Sequence, residues 1–328
     1  MWGLVLPAVA LWLRPPLPLW LYVLALVLAY EVVALPVTWY RTFVLERRYE
    51  LSAEPFSAWL RDHVKATAIA LGLALFVAQG LYVLIEWRPA DWWLWAAVSM
   101  TAATIVLARL APIALLPLFY TFTPLDRPDL VARLVALSKR AGVPVLGVFE
   151  WGLGAKTRRA NAALVGAGST RRILLSDTLL ASYTEDEIEV ILAHELGHHV
   201  HHDIPKGLLL EFVVLLLSFG AAAAALDALS PALGLAGAHD VAGLPVVIVA
   251  VGAVSLILTP FLHAVSRLNE RRADRFALNL TAQHEPFISA MRRLGAQNLS
   301  EENPSRLAVW LFHTHPPINA RIRAAQQR

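Results

Sequence analysis

The sequence contains no cysteine. Disulfides, thiolate metal sites and cysteine nucleophiles are thereby excluded. Charge is also scarce. Only 16% of the 328 residues are Asp, Glu, Lys or Arg, and 57% are hydrophobic. Soluble proteins carry about 25% charged residues. Arginine greatly outnumbers lysine, and the net charge of +3 gives no reason to expect a nucleic-acid partner. There is no repeat of fixed period and no long low-complexity linker. These absences leave a polytopic membrane protein, with the lipid bilayer as its first partner. The sequence assigns no oligomeric state.

A membrane helix needs about 20 mostly apolar residues. Five windows meet that length: Leu17–Tyr40, Ala66–Trp87, Trp92–Leu118, Pro205–Leu226 and Gly243–Ala264. Trp39, Tyr40, Trp87, Trp92, Trp93 and Trp95 crowd their ends, as in interfacial belts. Met1–Leu13 is apolar but short and reads as an interfacial or partly inserted segment. The alanine run Ala221–Ala225 predicts close helix packing. Glu31, Gln79, Arg109 and Glu211 lie in or near apolar windows and are functional candidates on that ground; snorkelling is the simpler account of Arg109 and Glu211.

Basic residues sort by segment. Five lie in 41–65, nine in 119–204 and ten from Val265 onward, whereas the other connections are nearly bare. The positive-inside rule then predicts an outside N-terminus, five crossings and an inside C-terminus. Four stretches follow. Residues 1–118 hold three spans and a basic loop, 41–65. Residues 119–204 form the first half of an inside domain, 205–264 a membrane hairpin, and 265–328 the second half of that domain. The expected fold is mainly α, a polytopic membrane helix bundle of about five spans with a small α+β domain facing the cytoplasm.

Within 119–204, "LDRPDLVARLVALSKRAG" predicts a helix stopped at Gly142. "VPVLGVFEW" predicts a strand, and Ala162 to Leu175 a hairpin. Thr184 and Glu187 then form a capping box that opens an amphipathic helix in water. That helix carries "AHELGHH". A four-residue step rises about 6 Å with little rotation. His194 and His198 therefore face one way and can grip a single Zn2+. Glu195 stands beside them, placed to deprotonate a water the metal activates. Gly197 leaves room on that turn. A catalytic zinc wants three protein ligands and one open position. "SRLNERRADRF" supplies the best third candidate, Glu270, and places Asp274 one turn further to hold the outer nitrogen of a ligand histidine, His194 above all. The competing reading is a solvated ion-pair face with Arg267, Arg271, Arg272 and Arg275.

These blocks together resemble the integral-membrane zinc metalloproteases of the type I CAAX prenyl endopeptidase family. "RTFVLERRYELS" and "FSAWLRDHVKA" resemble its early loop, and "PLFYTFTPL" the junction into its catalytic domain. "RRANAALVGAGSTRRILLSDTLL", "AHELGHH", "SRLNERRAD" and "THPPINARI" resemble its catalytic blocks, in order. The resemblance implies one zinc held by His194, His198 and Glu270, with Glu195 as general base. It implies that Asn161 and Ala162 open an edge strand against which a peptide or protein substrate lies extended at the membrane. It also implies that His315 and Arg321 point into the site, His315 toward the oxyanion and Arg321 toward substrate carboxylate or carbonyl. His199, His201, His202 and His313 are not expected to be ligands. Eukaryotic members carry seven spans around a large chamber; this chain is expected to lack the first two, which implies a five-helix version open at one side. Bacteria generally have no prenylated CAAX proteins, so membrane-protein turnover of the heat-shock-protease kind is expected ahead of tail processing. The expected location is a bacterial inner membrane. Two other readings stay open: a site-2-type intramembrane protease, and a non-catalytic scaffold whose structural metal is closed by His199 or His315.

Overall fold

Long apolar runs bounded by Pro, Gly and polar loops set the helices, because backbone groups in lipid must bond within their own segment. The computed structural model describes residues 17–166, 168–299, 301 and 303–327. Residues Met1–Leu13 lie outside these. Five helical stretches are long and apolar enough to cross a membrane: Leu19–Arg48, Phe56–Trp87, Trp92–Leu118, Asp203–Leu233 and Val241–Thr281. They include α1 (Leu19–Trp39), α2 (Phe56–Trp87) and α3 (Trp92–Leu110). All five windows read from the sequence are helical, but most helices run past their windows. Polar residues extend them once the chain has left the apolar stretch.

The chain divides into two compact units. One comprises Met1–Glu46, Pro55–Ile105 and Leu208–Leu258. Its core packs Tyr22, Leu26, Leu81, Tyr82, Ile85, Trp92 and Phe219 around small residues Ala78, Ala96, Ala97 and Ala222. In the alanine run only Ala222 is buried and Ala224 is exposed, so one face of it does the packing. Trp92 is buried, edge-on to Phe219 at 6.3 Å. Glu31 pairs with His63 at 2.5 Å, and Trp59 stacks on that imidazole. Glu211 accepts from the Thr104 hydroxyl at 2.8 Å, an interhelical bond.

The other unit comprises Arg47–Glu54, Val106–Gly207 and Thr259–Arg328. Segment 47–54 belongs here because Arg158 N–H donates to Leu51 O and the Ser52 hydroxyl to Lys156 O. A four-stranded sheet runs in the order β1-β2-β4-β3. Its strands are β1 (Phe122–Pro124), β2 (Gly147–Trp151), β3 (Ala162–Val165) and β4 (Arg172–Ser176). β3 and β4 form the expected antiparallel hairpin, Ala162 opposite Leu175. β2 joins β4 in parallel. Helix α4 (Pro128–Arg140) covers the sheet, and Gly142 at φ +71° ends it in a conformation a side chain would resist. The short α5 (Asp177–Ser182) leads to α6 (Glu185–Val200), followed by α7 (Asp203–Leu233), α8 (Leu244–Thr281), α9 (His284–Gln297), α10 (Arg306–Phe312) and α11 (Ile318–Gln326).

Helix α6 starts with the expected capping box on Thr184 and Glu187. Beyond that first turn it is buried on most sides rather than amphipathic. Glu187 and Glu189 go inside with it, which is tolerable only because each is paired. Glu187 accepts from the Ser289 hydroxyl at 2.6 Å and Arg293 Nε at 3.0 Å. Glu189 accepts from Arg133 Nε at 2.6 Å and from the Gln283 amide at 3.0 Å. Burial alone would raise the Glu187 carboxyl; those bonds and the Thr184 N–H outweigh it and hold it below the ordinary carboxylate range.

Candidate active site

The site forms where α6 meets α8, and a glycine sets how closely they meet. A Cβ on Gly197 would lie 3.0 Å from Ala273 Cα and 3.3 Å from Phe276 Cβ. Only a bare α-carbon lets the two helices approach so far. Glu270 and Asp274 are buried at this contact, whereas Arg271 and Arg275 on the other side of α8 are exposed. The solvated ion-pair face is therefore not what forms.

Two imidazole nitrogens and one carboxylate converge. His194 Nε2 and His198 Nε2 are 3.2 Å apart; His194 Nε2 is 3.4 Å from Glu270 Oε2, and His198 Nε2 is 3.4 Å from Glu270 Oε1. Two tetrahedral ligands at metal bond lengths near 2.0–2.1 Å stand about 3.3–3.4 Å apart. The three side chains are spaced as metal ligands are. The outer nitrogens fix the tautomers. His194 Nδ1 donates to Asp274 Oδ1 at 2.9 Å, and His198 Nδ1 donates to Asp203 Oδ2 at 2.9 Å. Both inner nitrogens thus turn lone pairs toward one point, and the buried Glu270 Oε2 has no hydrogen-bond partner. Such a donor set calls for a cation. Burial opposes positive charge on the His194 imidazole, but Asp274 and Glu270 push it up to about 9, so the carboxylates around it favour a cation here. Among the described residues this is the one group of three ligand-type side chains close enough to hold an ion.

Asp203 was not singled out in the sequence. The signal was present: a carboxylate five residues past His198, beyond a turn in which His202 has φ +57°. Arg272 holds the other oxygen of Asp203. Arg321 forks Asp274, with Nε to Oδ2 at 2.8 Å and Nη2 to Oδ1 at 2.5 Å. It is buried, and its charge is stabilised chiefly by Asp274 against the cost of burial.

Glu195 follows His194 and lines a cavity of about 680 Å³ shared with Asn161, His315 and Arg321. Burial pushes its carboxyl above the ordinary range, against the pull of His194 and His198. His315 is exposed, with Nε2 3.3 Å from Glu270 Oε1. Asn161 N–H donates to Ser176 Oγ and its carbonyl accepts from Ser176 N–H, which starts β3 at Ala162 on the edge of the sheet. His199 turns away to the backbone of Leu164, and His201 meets Phe276 edge-on.

Two family models match the chain. A model described as peptidase family M48 matches residues 124–328. A second, described as the CAAX prenyl protease N-terminal region with five membrane helices, matches residues 9–121. The chain belongs to peptidase family M48. It is a multi-pass membrane protein and a metallo-endopeptidase, as the resemblance of its motifs implies. It is 29% identical over 93% of its length to an uncharacterized metalloprotease, YhfN, of Bacillus subtilis, covering 72% of that protein. It is 28% identical over 90% of its length to a CAAX prenyl protease 1 homolog of Arabidopsis thaliana, covering 70% of it. The fold matches the crystal structure of S. mikatae Ste24p with a TM-score of 0.85 at 22% identity, over 98% of this chain and 79% of that one. Helix α6 is not among the candidate spans, in contrast to the site-2-type alternative.

Proposed function

We propose that the chain is a zinc-dependent endopeptidase of membrane-associated peptides, with His194, His198 and Glu270 as zinc ligands and Glu195 as general base. The observation that carries this reading is the triangle of two imidazole nitrogens and one carboxylate at 3.2–3.4 Å, beside a cavity that Glu195 lines. Bound there, zinc supplies Lewis acidity to a water and to the scissile carbonyl. Glu195 accepts the proton of the attacking water and delivers it to the leaving amine. Asp274 and Asp203 keep the two imidazoles in the ligating tautomer. Arg321 anchors Asp274 and adds positive potential to the cavity wall. His315, whose Nε2 lies 3.3 Å from Glu270 Oε1, is the side-chain donor placed to reach a developing oxyanion.

Substrate lies extended against the open edge of β3, entering at Asn161 and Ala162, where backbone pairing holds a peptide of varied sequence. The names of the Arabidopsis and Schizosaccharomyces pombe relatives point to prenylated tails as one substrate class. The distribution of Lys and Arg supports a catalytic unit on the cytoplasmic side, and a bacterial inner membrane is the proposed location. The test is Glu195→Gln in the purified protein: zinc content is retained and peptide cleavage is lost. Full cleavage by that variant rejects the assignment.

A further inference from the structure

Helix α10 has the sequence RLAVWLF, and none of its residues is buried. Leu307, Trp310 and Phe312 are 64%, 52% and 75% exposed. Three large apolar side chains on two turns are an unusual display for a surface in water. The helix is nevertheless held firmly. Arg267 Nη1 donates to Val309 O at 3.0 Å and His313 O at 2.6 Å, and His263 Nδ1 donates to Leu311 O at 2.8 Å. Both anchoring residues lie on α8 where its apolar run, Gly243–Ala264, gives way to charge. On the same stretch of α8, Phe261 and Leu268 are 58% and 59% exposed.

From this placement we infer that α10 is an interfacial helix, its Leu307 and Trp310 face seated in the boundary between lipid headgroups and acyl chains. The α8 anchor fixes its depth. The end of an apolar transmembrane run marks that boundary, and the exposed Phe261 and Leu268 of α8 flank the two residues that pin α10. Tryptophan is the residue such a boundary favours, and the exposed Arg306 beside it suits anionic headgroups. Phe312, at the end of α10, lines the catalytic cavity. The bilayer surface therefore reaches the rim of the cleft, and a membrane-tethered peptide meets it without leaving the interface. Seating of α10 does not depend on Glu195 acting as base.

The absence of native cysteine makes the test direct. Leu307→Cys and Trp310→Cys each give a single site for an environment-sensitive fluorophore in the full chain, purified and reconstituted into phosphatidylcholine–phosphatidylglycerol nanodiscs. Leu256→Cys, 75% exposed on α8, is the lipid control, and Leu146→Cys, 61% exposed before β2, the aqueous one. Labels at 307 and 310 are expected to be quenched at least threefold more by doxyl lipids, and threefold less by iodide, than the label at 146. Iodide quenching equal to that at 146, without lipid quenching, overturns the inference. So does shielding that appears only when peptide is added and ignores the lipid quencher, which would assign the face to a peptide. Either position alone decides the matter if the other variant does not fold.

Discussion

Asp203 Oδ2 stands 2.9 Å from His198 Nδ1, while Arg272 grips the other oxygen of the same carboxylate. The second ligand histidine is thus oriented as firmly as the first. Loss of such a partner typically costs 10–100-fold in metal affinity. Asp203→Ala is expected to weaken zinc binding by about that factor in a competition titration with a chromophoric chelator. An unchanged affinity would remove Asp203 from the site.

Gly197 is predicted to be intolerant of even one methyl group. The added carbon would meet the backbone of Ala273, not a flexible side chain, so α6 and α8 must separate. Overpacking of this kind costs about 1–3 kcal/mol. Gly197→Ala should lower the thermal midpoint and reduce zinc content together, measured by scanning fluorimetry and elemental analysis.

His315 tests the chemistry apart from the metal. It is exposed, lines the cavity and holds no ligand position in the donor triangle. Removal of an oxyanion donor costs about 10²–10³ in kcat. His315→Ala is expected to show that loss with KM and zinc content little changed. Loss of zinc instead would make His315 a fourth ligand and the site a structural one.

Glu187 predicts an acid limb of stability. Its folded carboxyl titrates below its unfolded value because Ser289, Thr184 N–H and Arg293 outweigh burial. As pH falls, the unfolded chain takes up the proton first. The stabilisation is therefore full above the unfolded pKa, about 4.3, and disappears as pH drops through the lower folded value. Glu187→Gln should flatten the fall of the thermal midpoint below pH 5 relative to the parent protein.

Much of this was legible in the sequence, for local reasons. Apolar windows of membrane length, the Thr184 capping box, the hairpin of β3 and β4 and the four-residue spacing of His194 and His198 are all short-range signals. What could not be read depends on distant partners. β1 is three residues long and exists through its pairing with β2. Glu187 and Glu189 read as a solvated first turn, yet they are buried because Arg293 and Arg133 reach them from α9 and α4. Asp203 lies just before the Pro205–Leu226 window and serves a histidine on the preceding helix. Arg321, expected to point into the site, lines the cavity and also grips Asp274 on α8.

Anomalous diffraction at the zinc edge from crystals of the Glu195→Gln protein tests the central claim most directly. A single peak is predicted about 2.0–2.1 Å from His194 Nε2, His198 Nε2 and a Glu270 oxygen, with no fourth protein ligand. Zinc-replete crystals without a peak between the imidazoles, or with Glu270 turned away from it, would contradict the account.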